Sequence, residues 1–318
     1  MSKLTQRGFS LLELMVSMSI GIVLVGAALS VHVRGQDTYI VNERNGRLAE
    51  GRRYLADVLL SDLRASGYWA ETEFPASINR RANDPANPMP PGFFPANDCY
   101  AGAWINVNVP VEVVDHTQVG AANILAGCVP EGARLPGTDL LLVRHADPQP
   151  ALAQDPGRLY LISTPIGGEL FVGGQPIPAG FDPADPIHAV NTHVYYVSPR
   201  SSAGDNVPSL RRMRLDVGPL FIDEEVMTGV DDFQVQLGRD TDADDDANVF
   251  VNENSPLAAG GLPVAARVWV RMRTIDAEVG YENDTVFEYA GINRPVADNF
   301  RRLVMNNTVQ LRNGRANP

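Results

Sequence analysis

Glu13 is a single carboxylate inside an otherwise apolar run, FSLLELMVSMSIGIVLVGAAL. A charge near the start of an apolar helix is costly in a low-dielectric medium, so it needs an opposite charge or another task. Asp240, Asp242 and Asp244 alternate as the first positions of an EF-hand loop do, and such clustered oxygens suit a hard cation such as calcium. The pattern then breaks. Asp245 stands where that loop needs glycine, Val251 stands where it needs a closing bidentate glutamate, and Glu253 comes two residues late. A solvated hairpin loop is therefore the favoured reading, with calcium as the alternative. Cys99 and Cys128 flank a stretch containing Gly, Pro and Asn. A disulfide between them is the leading reading, and closing a loop of roughly 30 residues in an oxidising compartment stabilises a fold by about 3.5 kcal/mol. Two free buried thiols are the other reading; neither cysteine has a second ligand at zinc-like spacing.

Several reagents are missing. Lys3 is the only lysine among 26 basic residues, so a Walker-type phosphate loop and Schiff-base chemistry both lack their amine. The five histidines, His32, His116, His145, His188 and His193, show no His-Glu-x-x-His spacing, and no Gly-x-Ser-x-Gly elbow is present. Lone histidines in a strand-rich chain are usually structural or exposed. The expectation is a protein that is not an enzyme. With 38 acidic residues and a formal charge of −12, the chain also lacks the basic face that phosphate neutralisation requires, so no nucleic-acid partner is expected.

Glu13 must be positioned by a helix. No side chain from Leu14 to Val33 is formally charged, and at about 1.5 Å per residue this stretch reaches roughly 30 Å, the thickness of a bilayer core. Lys3 and Arg7 precede it, which by the positive-inside rule leaves the N-terminus in the cytoplasm and sends the rest of the chain across. A secretory signal would place its apolar stretch before a small-residue cleavage motif; here a polar leader, MSKLTQRG, comes first. The segment RGFSLLELMVS resembles the type IV prepilin signature. That resemblance implies cleavage after Gly8, an N-methylated Phe9 as mature terminus, and a Glu13 that pairs with the terminal ammonium of a neighbouring subunit. It also implies processing by prepilin peptidase, a single-pass inner-membrane location with a periplasmic domain, and incorporation into a pilus. No cofactor is expected apart from the calcium alternative.

Beyond the membrane stretch, Leu48, Leu55, Leu59 and Leu63 recur at helical spacing, with Glu50, Arg52, Arg53, Asp57 and Asp62 among the polar positions. Gly67 after Ser66 is the expected stop. The region from Glu71 to Asn97, dense in Pro, Asn and Ala, reads as a surface excursion. Short β-branched runs follow at Ile105 to Val114, Asp139 to His145, Arg158 to Ser163, His193 to Val197, Leu210 to Val217, Phe233 to Leu237, Val264 to Ile275 and Leu303 to Leu311. The expected fold class is α+β: a leader over 1–8, a helix over 9–66 whose first part, 9–33, spans the membrane, and a mainly antiparallel sheet domain over 67–318. GRLAEGRRYLADVLLSDLRASGY and RRLVMNNTVQLRN also resemble segments of PilW-type minor pilins. The implied role is priming or capping a type IV pilus by helix packing with other minor pilins and the major pilin, in contact with the inner-membrane assembly machinery. A J-type pseudopilin of type II secretion and a membrane-tethered ligand-binding domain are the alternatives.

Overall fold

The computed structural model describes residues 10–80, 103–117, 129, 132–218 and 220–313. One helix, α1 (Leu11–Ala65), is followed by strands β1 (Ile78–Asn79), β2 (Val111–Val114), β3 (Leu140–Ala146), β4 (Leu159–Thr164), β5 (Gly167–Val172), β6 (Ile187–Ser198), β7 (Ser209–Asp216), β8 (Leu220–Thr228), β9 (Val230–Asp240), β10 (Val249–Val251), β11 (Leu262–Arg273), β12 (Val286–Tyr289), β13 (Ile292–Pro295) and β14 (Arg302–Gln310). The chain divides into two compact units at Glu50 and Gly51. The fold is α+β, with a mainly antiparallel sheet domain, as a single helical stripe followed by short strand-like runs predicts.

The first unit contains the apolar part of α1. Its most apolar stretch is wholly exposed; Leu11, Ile22 and Val31 are each more than two-thirds accessible. Such a helix is stable in water only if something covers it, and its length and composition suit a bilayer. The hydroxyls in the run are satisfied locally. Ser17 Oγ donates to Leu14 O at 3.0 Å and Ser19 Oγ to Met15 O at 2.8 Å, so they present little unpaired polarity to lipid.

The second unit begins with the last turns of α1. Leu55, Leu59 and Leu63 are fully buried, each contributing about 1.5–3 kcal/mol of apolar transfer. Gly67, at φ +72°, ends the helix, and a Cβ there would lie 2.8 Å from the Asn313 carbonyl oxygen. Asn313 Nδ2 in turn donates to the carbonyl of Ser66 at 3.1 Å. The two segments that resemble PilW-type sequences therefore meet at this helix end.

The larger sheet has eight strands. Its path runs β1-β5-β4-β6-β3-β2, and β7 extends it from β6 to β8. A four-stranded sheet, β10-β9-β11-β14, and the β12–β13 hairpin complete the described strands. Trp69, Trp104, Leu142, Leu161 and Val194 belong to the main core cluster. Gly229 alone separates β8 from β9 as the chain changes sheet. Its φ is +84°, and an added Cβ would meet the Arg273 carbonyl oxygen at 2.7 Å, so only glycine fits the switch without strain.

Two expectations need correction. The expected excursion from Glu71 is not all surface: Thr72 and Ile78 are buried, and β1 pairs in parallel with β5. A short 3-10 turn beginning at Pro75 returns the chain to the sheet; residues 81–97 lie outside the described set. Asp62, expected on the polar side of the helix, instead faces the sheet, because β3 and β6 supply hydrogen-bonding side chains there.

Candidate assembly helix and buried polar cluster

Gly8, Phe9, Cys99 and Cys128 lie outside the described residues. Glu13 is at the start of α1, where its backbone N–H donates to Ser10 Oγ at 3.2 Å and its Oε2 accepts from the Ser10 N–H at 3.0 Å. This reciprocal pair is a capping box, which satisfies two of the orphan amides of a helix start. The S-L-L-E spacing is its sequence signal. Glu13 thus has a local task, and its charge remains at the exposed beginning of an apolar helix.

The acidic loop is assembled as its spacing suggests, with one oxygen from each of Asp240, Asp242 and Asp244 lying within 4.8 Å of the others. Its central carboxylate is already engaged. Asp240 Oδ1 accepts from the N–H groups of Asp242 at 3.1 Å and Ala243 at 2.7 Å, and Oδ2 accepts from Asp245 N–H at 2.9 Å. Desolvation, the largest single influence on Asp240, raises its pKa, but these bonds together outweigh it and hold the pKa below the ordinary carboxylate value. The arrangement is a self-supported turn.

A second cluster, not visible as a motif, joins α1 to the large sheet. On β3 and β6, Val143 is opposite His193 and Leu141 is opposite Tyr195, which places His145 diagonally beside His193 on one face. The two imidazoles are 5.9 Å apart between centroids and nearly perpendicular. Asp62 reaches them from the helix. Its Oδ2 accepts from His193 Nδ1 at 2.6 Å and from the Tyr195 hydroxyl, while Oδ1 lies 3.8 Å from His145 Nε2. Burial opposes the carboxylate, but the neighbouring His145 and the hydrogen bonds from His193 and Tyr195 prevail and hold Asp62 far below the usual range. Burial pushes the His193 pKa down, against the pull of Asp62, and raises that of Tyr195. Arg212 sits over the Tyr195 ring and is paired with Glu224, its Nε donating at 2.7 Å.

The other side of β3 carries Arg144, which is completely buried. Its Nε donates to the Trp104 carbonyl at 2.9 Å, Nη1 donates to that of Val109, and Nη2 reaches Glu112 Oε2 at 3.0 Å. Burial lowers the Arg144 pKa and Glu112 opposes that shift. Neither Arg144 nor the Asp62 cluster follows from local spacing, because their partners come from different elements.

Residues 194–313 match the family described as type IV pilus-assembly protein W, and residues 3–29 match the prokaryotic N-terminal methylation motif. No curated protein and no solved structure matches the chain. Together with the exposed apolar helix, the two matches are consistent with a type IV prepilin-like protein. Its C-terminal part, from β6 to the Asn313 that closes the helix end, is similar to the PilW family, and the two matches support a pilin related to the type IV pilus.

Proposed function

We propose that this chain is a non-enzymatic minor pilin that primes or caps the type IV pilus. The observation that supports this most is the apolar start of α1: a helix with no buried side in its membrane-length stretch and a single carboxylate at its head. The apolar surface holds the precursor in the inner membrane and then packs against the equivalent helices of other minor pilins and the major pilin. Glu13 meets the ammonium of a neighbour's first residue, an opposite charge that relieves the cost of a carboxylate in hydrocarbon. Gly8 is the residue before the prepilin peptidase cut and Phe9 the residue exposed by it. The sheet domain is periplasmic in this reading.

The test is photo-crosslinking in the membrane from a probe at Leu24, an exposed residue within the apolar stretch. The expected adducts, identified by mass spectrometry, contain a second prepilin-class chain. Adducts with lipid alone, in cells that make pili, would contradict packing by this helix.

A further inference from the structure

We infer that Asp62, His145 and His193 form a binding site for a divalent transition-metal ion of the zinc type, which clamps the end of α1 to the sheet. The site does not depend on the assembly reading. It joins one helix to two adjacent strands, and one potential ligand atom from each residue lies within 4.8 Å of the others.

His145 carries the inference. Its side chain is only 6% exposed, and its Nδ1 is 2.8 Å from the Ala146 carbonyl oxygen, a contact that requires a proton on Nδ1. Nε2, the ring atom left for a ligand, is buried and has no hydrogen-bond partner. What it faces, 3.8 Å away, is Asp62 Oδ1. At that distance neither atom satisfies the other by a hydrogen bond, and a cation held between them serves both. Ligand atoms at zinc-type bond lengths lie roughly 3–3.5 Å apart in a tetrahedral site, so the gap closes with a movement of a few tenths of an ångström. A ligating histidine that donates its other ring nitrogen to a backbone carbonyl is the usual outer-shell arrangement, since that bond fixes the tautomer and the ring orientation.

The remaining ligands fit the same ion. Two imidazoles with one carboxylate suit zinc and its neighbours rather than calcium or magnesium, which prefer all-oxygen sets. Metal entry replaces the proton shared by His193 Nδ1 and Asp62, and that proton leaves to solvent. The Tyr195 hydroxyl, bonded to Asp62 Oδ2, orients the carboxylate. Arg212, which donates to the Tyr195 hydroxyl, is already balanced by Glu224. Asp62 is 13% exposed, so its carboxylate is in reach of solvent, from which a water would complete the four-coordinate set.

The two other carboxylate-rich clusters lack such a vacancy in their bonding. At the Asp115, His116 and Asp139 cluster, Asp139 Oδ1 accepts from His116 N–H and Oδ2 from Val235 N–H, while Asp115 Oδ1 accepts from Thr117. At Asp240 both oxygens are held by backbone amides.

The experiment uses the full chain in detergent, free of any affinity tag and stripped with chelator. After dialysis against micromolar Zn2+, elemental analysis is expected to find one zinc per chain. His145→Gln and His193→Gln lose it, whereas His116→Gln keeps it. The wild-type Tm is expected to rise by roughly 5 °C at a zinc concentration of about 100 times Kd. Calcium gives no rise. Because either cluster variant could disturb the fold, Co2+ is also titrated into the wild type: visible d–d bands of a tetrahedral site that Zn2+ removes, and Ca2+ does not, are the result expected without any substitution. Zinc retention equal in wild type and His145→Gln, or a wild-type Co2+ spectrum without those bands, would overturn the site and leave an ion-pair network only.

Discussion

Glu13→Val is expected to give a processed, membrane-resident and stable protein that is no longer recruited into pili. Removing a carboxylate from the head of the apolar helix favours insertion by up to about 3 kcal/mol, so the anchor is not what fails. On the proposed role, what disappears is attraction to a neighbour's terminal ammonium. The structure makes the experiment sharper than a single substitution allows, because Glu13 also closes the capping box with Ser10. Loss of that box costs about 1 kcal/mol of helix-start stability. Glu13→Gln separates the two tasks: glutamine can accept from the Ser10 N–H but carries no charge. The expected outcome, read by immunoblot of sheared pili and by crosslinking to other minor pilins, is that Gln fails as completely as Val. If Gln restores incorporation that Val abolishes, Glu13 works through the cap and the charge-pairing role is wrong. Loss of membrane insertion in either variant would contradict the reading of the helix itself.

Arg144→Met is expected to destabilise the sheet domain by about 3–5 kcal/mol, the cost usual for removing one partner of a buried ion pair. Its guanidinium bonds the carbonyls of Trp104 and Val109 as well as Glu112, and its own backbone carbonyl accepts from the Gly67 N–H at 3.0 Å. Methionine fills much of the volume but leaves Glu112 without its cation and the Val109 carbonyl without that donor. The damage is therefore electrostatic and polar rather than a cavity. Urea unfolding of the full chain in detergent, monitored by tryptophan fluorescence, measures it as a fall in midpoint at an unchanged slope. A loss below about 1 kcal/mol would show that segment 103–112 is held by its apolar contacts, such as Trp104 and Val107, instead.

The parts of this fold that local pattern reveals are those where one strand or helix face is apolar by itself. Leu55, Leu59 and Leu63 announce the buried side of α1, and the Val, Leu and Ile runs announce β3, β4, β11 and β14 to within a residue or two. β8 escaped because LFIDEEVMT has no apolar alternation of its own. Its charges answer the arginines of β7 across the ladder, Arg211 with Asp223 at 3.0 Å and Arg212 with Glu224 at 2.5 Å. The β12–β13 hairpin turns through Ala290 and Gly291, both at positive φ, and Ala-Gly is not among the dipeptides that signal such a turn. The site divides in the same way. Glu13 stands out as a charge in an apolar run, and its Ser10 partner is recoverable from the capping-box spacing. Asp62, His145 and His193 do not stand out, since the cluster exists only once β3 and β6 are in register and the helix lies over them.

The account rests on this chain being a prepilin that is cut and then assembled, and the mature N-terminus tests that most directly. Intact-mass analysis with fragmentation of the protein from piliated cells should show a chain that begins at Phe9, carries an N-methyl group and lacks the MSKLTQRG leader. A chain that keeps Lys3 and Arg7, or one cut within or after the apolar stretch as a secretory signal would be, would contradict it.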